Sequence, residues 1–395
     1  MSFCYDELHR VTKKDYTAHT FSPPACPISA PVVSYTYDAG ANGKGHLTGL
    51  TDQAGTGSYT YDPLGRIATE TRVISGVPKS LSYDYNLDGS IAKLHYPSGA
   101  VVTYTPWQNG NAIVSAPSDA KDTANNINYA TGATYGADGS LAGFKSGQSA
   151  SFAGYTNAFS YNKRLQPINM SASAPNQTVF SIGYDFHLGS GNNGNVYGIT
   201  NYKDNSRNQS FTYDALNRLT SAQNAGTDCA SMTVNGKTEY WGNSYGYDAW
   251  GNLTDKTITK CGAENLPLIS NALNRADNGQ APQNGQVPSL NYQYDAAGNM
   301  IWDATENVAL NYDQENRITG ANGYTYTYDS DGNRVKKANG STGTLYWYMT
   351  PGIVAESDLS GNLKSEYVFF NGERVARRDF PAGSVAYYFS DHLKT

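Results

Sequence analysis

Tyr61-Asp62-Pro63-Leu64-Gly65-Arg66 is the stretch whose reading decides the fold, because its pattern returns along the chain. It recurs as Tyr213-Asp214-Ala215-Leu216-Asn217-Arg218, Tyr247-Asp248-Ala249-Trp250-Gly251-Asn252, Tyr294-Asp295-Ala296-Ala297-Gly298-Asn299, Tyr312-Asp313-Gln314-Glu315-Asn316-Arg317 and Tyr328-Asp329-Ser330-Asp331-Gly332-Asn333. Asp suits the first position of a type I turn, where its carboxylate accepts backbone N–H bonds. Where the chain re-enters the second strand, a residue with positive φ is needed, and Gly or Asn fills that slot. Tyr5-Asp6-Glu7-Leu8-His9-Arg10 also fits, since His is among the few other residues enriched there. Each segment therefore predicts a β-hairpin, and His9 has a structural explanation before a catalytic one.

Around these turns the chain reads as strands. "VVSYTYD", "SLSYDY", "VVTYTP", "AFSYN", "VFSIGYD", "SFTYD", "SYGYD", "LNYQYD", "YTYTYD" and "TLYWYM" alternate aromatic or β-branched residues with small polar ones. No amphipathic helix stands out. Tyr135-Gly136-Ala137-Asp138-Gly139 and Tyr161-Asn162 fill the longest gap between Tyr-Asp pairs and read as decayed repeats. Residues 116–126, 223–234 and 266–289 read as loops between hairpins. Residues 15–33, with Pro23, Pro24, Pro27 and Pro31, read as an irregular connection.

Composition agrees. The 395 residues include 32 Tyr against 12 Phe, a skew that suits wide sheets with one wet face. A net charge of −6 and only 16% charged residues argue against a nucleic-acid-binding footprint. No apolar run approaches a membrane span, and the start lacks the basic and apolar regions of a signal peptide. Cys4, Cys26, Cys229 and Cys261 show no C-x-x-C spacing and no neighbouring His, which argues against zinc. Separate reduced thiols are the default expectation, and a Cys229–Cys261 bridge across one long hairpin is the alternative.

These segments resemble the tyrosine-aspartate (YD) repeats of the Rhs family, shared by bacterial polymorphic toxins, insecticidal toxin-complex shell proteins and the animal teneurins. The resemblance rests on "YTYDAGANGKGHLTGLTD" from Tyr35, "SYTYDPLGRIATET" from Ser58, "GNNGNVYGITN" with "FTYDALNRLTSA" between Gly191 and Ala222, and "YTYTYDSDGNRVKK" from Tyr324. From Tyr346 through "GIVAESDLSGNLKSEYVFFNGERVAR" to "YYFSDHLKT", the chain is similar to the opening of the Rhs repeat-associated core. Ten Tyr-Asp pairs and this core opening cover nearly the whole length. The resemblance implies an all-β fold of tandem hairpins in one long coiled sheet, a YD-repeat shell, open in this piece. Repeats occupy residues 1–345 and the start of the core residues 346–395. It also implies that the chain is a piece or short copy. Its partners would then be the upstream repeats and a C-terminal toxin domain beyond its end. Exposed strand edges predict self-association.

Candidate chemistry is sparse. Asp62-Pro63-Leu64-Gly65 carries the letters of the family's self-cleavage motif, but lies in repeat context without that motif's flanks, where Pro simply suits the turn. Asp329-Ser330-Asp331-Gly332-Asn333 suggests a calcium loop, yet Arg334 stands where an EF-hand needs Gly. Gly40 and Gly45 have P-loop separation but are followed by His46-Leu47 rather than Lys and Ser or Thr. The six His (9, 19, 46, 95, 187, 392) are scattered. Ser390, Asp391 and His392 are sequence neighbours, whereas a catalytic triad is assembled from distant segments; His392 belongs to a segment the resemblance implies is structural. The pairs Asp6/Arg10, Asp62/Arg66, Asp214/Arg218 and Asp313/Arg317 set opposite charges across each turn, favouring register over ligand binding.

No catalytic, cofactor-binding or metal-binding residue is therefore expected, and no cofactor. The leading expectation is a non-enzymatic shell segment of an Rhs-type toxin, or of a related secreted or cell-surface protein, enclosing an effector. The rival is a repeat module whose Tyr-rich face recognises carbohydrate or a cell surface; secretion machinery is a further candidate partner. Neither nucleic acid nor membrane insertion is expected.

Overall fold

The computed structural model describes residues 1–17, 26–30, 32–109, 112–189, 191–229, 233–234, 237–261, 269–270, 275–277, 292–303 and 306–391. Among them there is no α-helix, and one 3₁₀ turn, Asn205–Arg207, interrupts the strands. Hydrogen-bonded neighbours are neighbours in sequence, as hairpin chemistry demands.

The chain divides into two compact units. The first comprises residues 1–133, 145–152 and 309–388. It holds two antiparallel ladders. One starts at Ser2–Tyr5, which pairs with Val11–Asp15 and through it with Val33–Tyr37, Leu47–Asp52 and Gly55–Tyr61. It continues through Ile67–Ile74, Val77–Tyr85, Ile91–His95 and Val101–Asn109 to Ala112–Asp122. The other runs from Ile318–Ala321 through Tyr324–Tyr328, Arg334–Asn339, Thr342–Met349, Gly352–Ser357, Leu363–Phe370 and Glu373–Asp379 to Val385–Tyr387.

Period-two burial marks both ladders. In Ile67–Ile74 and in Thr342–Met349 every second residue of the later half is buried. Ile74, Leu81, Leu94, Val102 and Tyr129 supply the core side chains of the first ladder, and Leu345, Trp347, Val354 and Phe370 those of the second, all at most 1% exposed. The Trp347 indole N–H donates to Ser357 Oγ at 3.2 Å, so this buried ring keeps its polar atom satisfied.

The second unit comprises residues 134–144, 153–308 and 389–395. Its ladder runs from Tyr155–Tyr161 through Pro167–Ala174, Gln177–Asp185, Gly198–Asn201, Gln209–Tyr213, Leu219–Asn224 and Trp241–Tyr247 to Leu253–Cys261. A short pair, Gln293–Tyr294 with Met300–Asp303, carries a further repeat.

The hairpins at the predicted turns are three-residue loops, whereas Ile74 pairs with Val77 and Asn339 with Thr342 across two-residue ones. Asp62 N–H donates to Arg66 O at 2.9 Å, Gly65 N–H returns to Asp62 O at 3.0 Å, and the register shifts between Thr60 and Tyr61. This is a type I turn followed by a bulge with positive φ. The same bonds close the predicted turns at Asp6, Asp214, Asp248, Asp295, Asp313 and Asp329. They also close Gly136–Gly139 and Asn162–Leu165, the decayed repeats. Three Tyr-Asp pairs depart. Asp38 N–H donates to His46 O at 3.1 Å and Asp185 O accepts from Tyr197 N–H at 2.8 Å, so both open longer loops. Tyr83-Asp84 lies inside Val77–Tyr85, with Asp84 opposite Lys93. The turn falls one step later, where Asn86 N–H donates to Ser90 O at 2.8 Å and Gly89 takes the positive-φ slot. Counted from Asn86, Gly89 stands three residues on; counted from Asp84, that slot holds Leu87.

Candidate functional site

Each turn is built around one fully engaged carboxylate. Asp62 Oδ1 accepts from the backbone N–H of Leu64 and Arg66, at 2.9 and 3.0 Å, and Oδ2 accepts from Arg66 Nε at 2.7 Å. Asp6, Asp214 and Asp313 repeat the arrangement with Arg10, Arg218 and Arg317. At Asp248, Asp295, Asp329 and Asp358 the amide of an Asn takes the place of the guanidinium. The Arg10 backbone N–H, ahead of its guanidinium, holds Asp6 below the usual carboxylate range. A carboxylate so occupied is a structural acceptor, not a ligand in waiting.

The arginines do more than close their own turn. Arg66 lies over the ring of Tyr85 in the next repeat, at 4.4 Å, and donates from Nη1 to Asn86 O at 3.0 Å. Arg10 covers Tyr37, Arg218 covers Tyr247 and Arg317 covers Tyr328 in the same way. In return, the Tyr85 hydroxyl donates to Ile67 O at 2.8 Å, the residue after that arginine. Tyr37, Tyr61, Tyr213, Tyr247 and Tyr328 donate equivalently to Val11, Leu47, Val196, Leu219 and Ile318. Each Tyr hydroxyl bond contributes about 1 kcal/mol and each guanidinium over a ring about 0.5–1 kcal/mol. Successive hairpins are thereby clasped, and one face of Tyr37, Tyr85, Tyr247 and Tyr328 is covered by guanidinium.

The most chemically loaded place is the seam within the first unit, where the C-terminal ladder meets the N-terminal one. Glu366, 2% exposed, accepts from Ser98 N at 2.7 Å and Ser98 Oγ at 2.6 Å. Glu70 Oε2 accepts from Thr350 N at 3.3 Å and from the Tyr83 hydroxyl at 3.4 Å, and that hydroxyl also reaches Thr350 O at 2.9 Å. Tyr104 donates to Phe369 O at 2.9 Å. Asp52 pairs with Arg72 and accepts from Ser330 N at 2.9 Å, and Lys14 pairs with Glu315. Burial pushes the carboxyls of Glu366, Glu70 and Asp329 above their ordinary range, with their hydrogen bonds opposing it only in part. Apart from the Glu and Ser identities themselves, no sequence pattern marks this seam.

The remaining residues singled out in the sequence are not brought together. Asp62–Pro63 is an ordinary turn. Asp329, 6% exposed, accepts from Asp331 N and Asn333 N, again a turn and not a cation loop. Ahead of Gly40 the chain presents Asp38, whose Oδ1 accepts from Gly45 N at 2.6 Å, the wrong charge for a phosphate. His9 has φ +60° in its turn. His46 stacks on Tyr61 at 4.3 Å, His187 on Tyr197 at 3.8 Å, and His95 lies 3.1 Å from Asp84. His19 and His392 lie outside the described residues, so Ser390-Asp391-His392 is not placed as a set. Among the described residues no group of three or more His, Cys, Asp or Glu could hold a metal.

The cysteines correct the default expectation of separate thiols. Cys4 is bridged to Cys26 and Cys229 to Cys261, and no described cysteine is free. The first bridge holds Cys26 at the strand Ser2–Tyr5. Close by in sequence, Ile28 is 1% exposed and its carbonyl accepts from Lys13 Nζ at 2.9 Å. Sequence spacing alone cannot reveal such a pairing.

Residues 42–75, which hold the strands Leu47–Asp52, Gly55–Tyr61 and Ile67–Ile74, match the RHS Repeat family. This stretch of the chain is an RHS repeat. No curated protein matches it. Among solved structures, a chain of the Photorhabdus luminescens Tc holotoxin pore matches this RHS-repeat chain with a TM-score of 0.68 at 15% identity, over 94% of this chain and 20% of the other. A chain of the TcdB2-TccC3-TEV crystal structure matches with a TM-score of 0.69, again at 15% identity, over 94% and 21%. At this identity the likeness is one of fold. The RHS-repeat chain spans about a fifth of the length of those structures' chains.

Proposed function

We propose that this chain is a structural shell segment of an Rhs-type toxin or a related exported protein, helping to enclose a C-terminal effector. Residues 1–345 act as repeats and residues 346–395 as the start of the core. The observation that carries this is the clasp between successive hairpins. A device that repeats along the ladders and leaves no described catalytic constellation builds a wall rather than an active site. The fold shared with chains of Tc toxin structures over 94% of its length supports it. So do the buried carboxylates that fasten the C-terminal ladder to the first repeats. The partners are then upstream repeats and the effector of the same polypeptide. Two disulfides support export, since such bonds persist in oxidising compartments. Guanidinium over Tyr37, Tyr85, Tyr247 and Tyr328 favours the wall over a carbohydrate-binding face at those rings.

The test uses the complete reading frame that contains these residues. Limited proteolysis with mass spectrometry should find the region following Thr395 resistant until the repeats are denatured. Cleavage of that region at the rate of the isolated effector, or a frame that ends at Thr395, overturns the proposal.

A further inference from the structure

The two disulfides differ in the property that governs thiol exchange. A thiolate attacks one sulfur in line while the other departs as a thiolate, so the attacked sulfur must be accessible and the leaving sulfur must tolerate charge. In Cys4–Cys26 one of these roles always falls to Cys4, which is 3% exposed and lies in the apolar core. If attacked, Cys4 is out of reach; if leaving, its thiolate is desolvated. Cys229–Cys261 has no such block: Cys229 is exposed and Cys261 half-buried. A second, independent observation singles out the same bridge. Cys261 ends the strand Leu253–Cys261 with φ +48°, a left-handed conformation that strains an L-residue without the amide side chain that helps Asn. Strained and exposed disulfides are the labile ones.

We propose that Cys229–Cys261 is a thiol-exchange site for low-molecular-weight thiols of the glutathione class, whereas Cys4–Cys26 is a permanent staple of the first hairpin. A thiolate attacks Cys229 Sγ; the Cys229–Cys261 bond breaks, its electron pair leaves on Cys261 Sγ, and a mixed disulfide forms at Cys229. A second thiolate attacks the external sulfur and releases Cys229 as a thiolate. Two thiols become one disulfide, and the protein disulfide becomes a dithiol. The 32-residue separation closed by the bridge is then released in the second unit, at the strand end where Trp241 pairs with Cys261. A reducing medium would therefore loosen this place first and leave the first hairpin stapled.

The experiment exposes the folded, oxidised chain to reduced glutathione, traps thiols with iodoacetamide over time, and reads each cysteine by peptide mass spectrometry. Cys229 and Cys261 should become alkylated at least about tenfold faster than Cys4 and Cys26. In denaturant the four rates should converge. A Cys4→Ser/Cys26→Ser double variant should leave the Cys229 and Cys261 rates unchanged. Equal or reversed rates in the folded chain, persistence of the difference in denaturant, or absence of a Cys229–Cys261 bridge in the oxidised protein each overturns the proposal.

Discussion

Glu366 is where the seam is most exposed to attack by mutation. Its carboxyl, 2% exposed, takes both hydrogen bonds that Ser98 offers, at 2.7 and 2.6 Å, from a turn 268 residues away in sequence. Glu366→Ala leaves the Ser98 N–H and hydroxyl without that acceptor and opens a void. Hydrogen bonds to a charged group are each worth about 1.5–3 kcal/mol and are not additive, so a loss of about 3 kcal/mol is expected, within the range for breaking a buried polar pair. With a urea m-value of about 2–3 kcal/mol/M, the midpoint falls by about 1–2 M. Glu366→Gln keeps the shape and one acceptor but cannot titrate. Because burial raises the Glu366 pKa on folding, its contribution is fully present below the unfolded value of about 4.3 and is lost as pH rises through the folded value. The variant should therefore gain on the wild type as pH rises above about 4.3. Glu70 and Asp329 titrate in both proteins, so their contributions largely cancel in the comparison. Urea titrations followed by tryptophan fluorescence at several pH values decide the matter. An alanine variant within about 1 kcal/mol of wild type, or a glutamine difference flat in pH, refutes the reasoning.

Leu165 occupies the positive-φ slot of its turn, at +61°, where the other repeats place Gly, Asn or His. Leu165→Gly should stabilise the chain by about 1 kcal/mol in thermal or chemical unfolding, the relieved strain exceeding the added chain entropy. Trp347→Ala empties a fully buried position and should lower stability by about 3–5 kcal/mol in the same titration. Intact-mass spectrometry of freshly folded protein should show no scission at Asp62–Pro63, because both carboxylate oxygens of Asp62 are held by Leu64 and Arg66; a fragment starting at Pro63 would contradict that role. Sedimentation at rising concentration should show association, since among the described residues Ser2–Tyr5 pairs on one side only.

The hairpins were legible in the sequence because everything that closes them lies within five residues. An Asp carboxylate reaches the N–H groups two and four positions on, and the next slot demands a residue that accepts positive φ; both are written in the local string. The strands followed from period-two alternation for the same reason. Tyr83-Asp84 shows where letters fall short, since the identical dipeptide lies within a strand when Gly stands five residues beyond its Asp instead of three. Tertiary structure alone decided the rest. It set which carbonyl each repeat tyrosine reaches and which ring each arginine covers. Cys4 and Cys26, 22 residues apart, meet only in the folded chain. Glu366 meets Ser98, and Glu70 meets Thr350, because two ladders distant in sequence share one core. A buried carboxylate and an exposed one are the same letter. What distinguishes them is which surface the folded sheet brings against them, and so how much water is left to hold the charge.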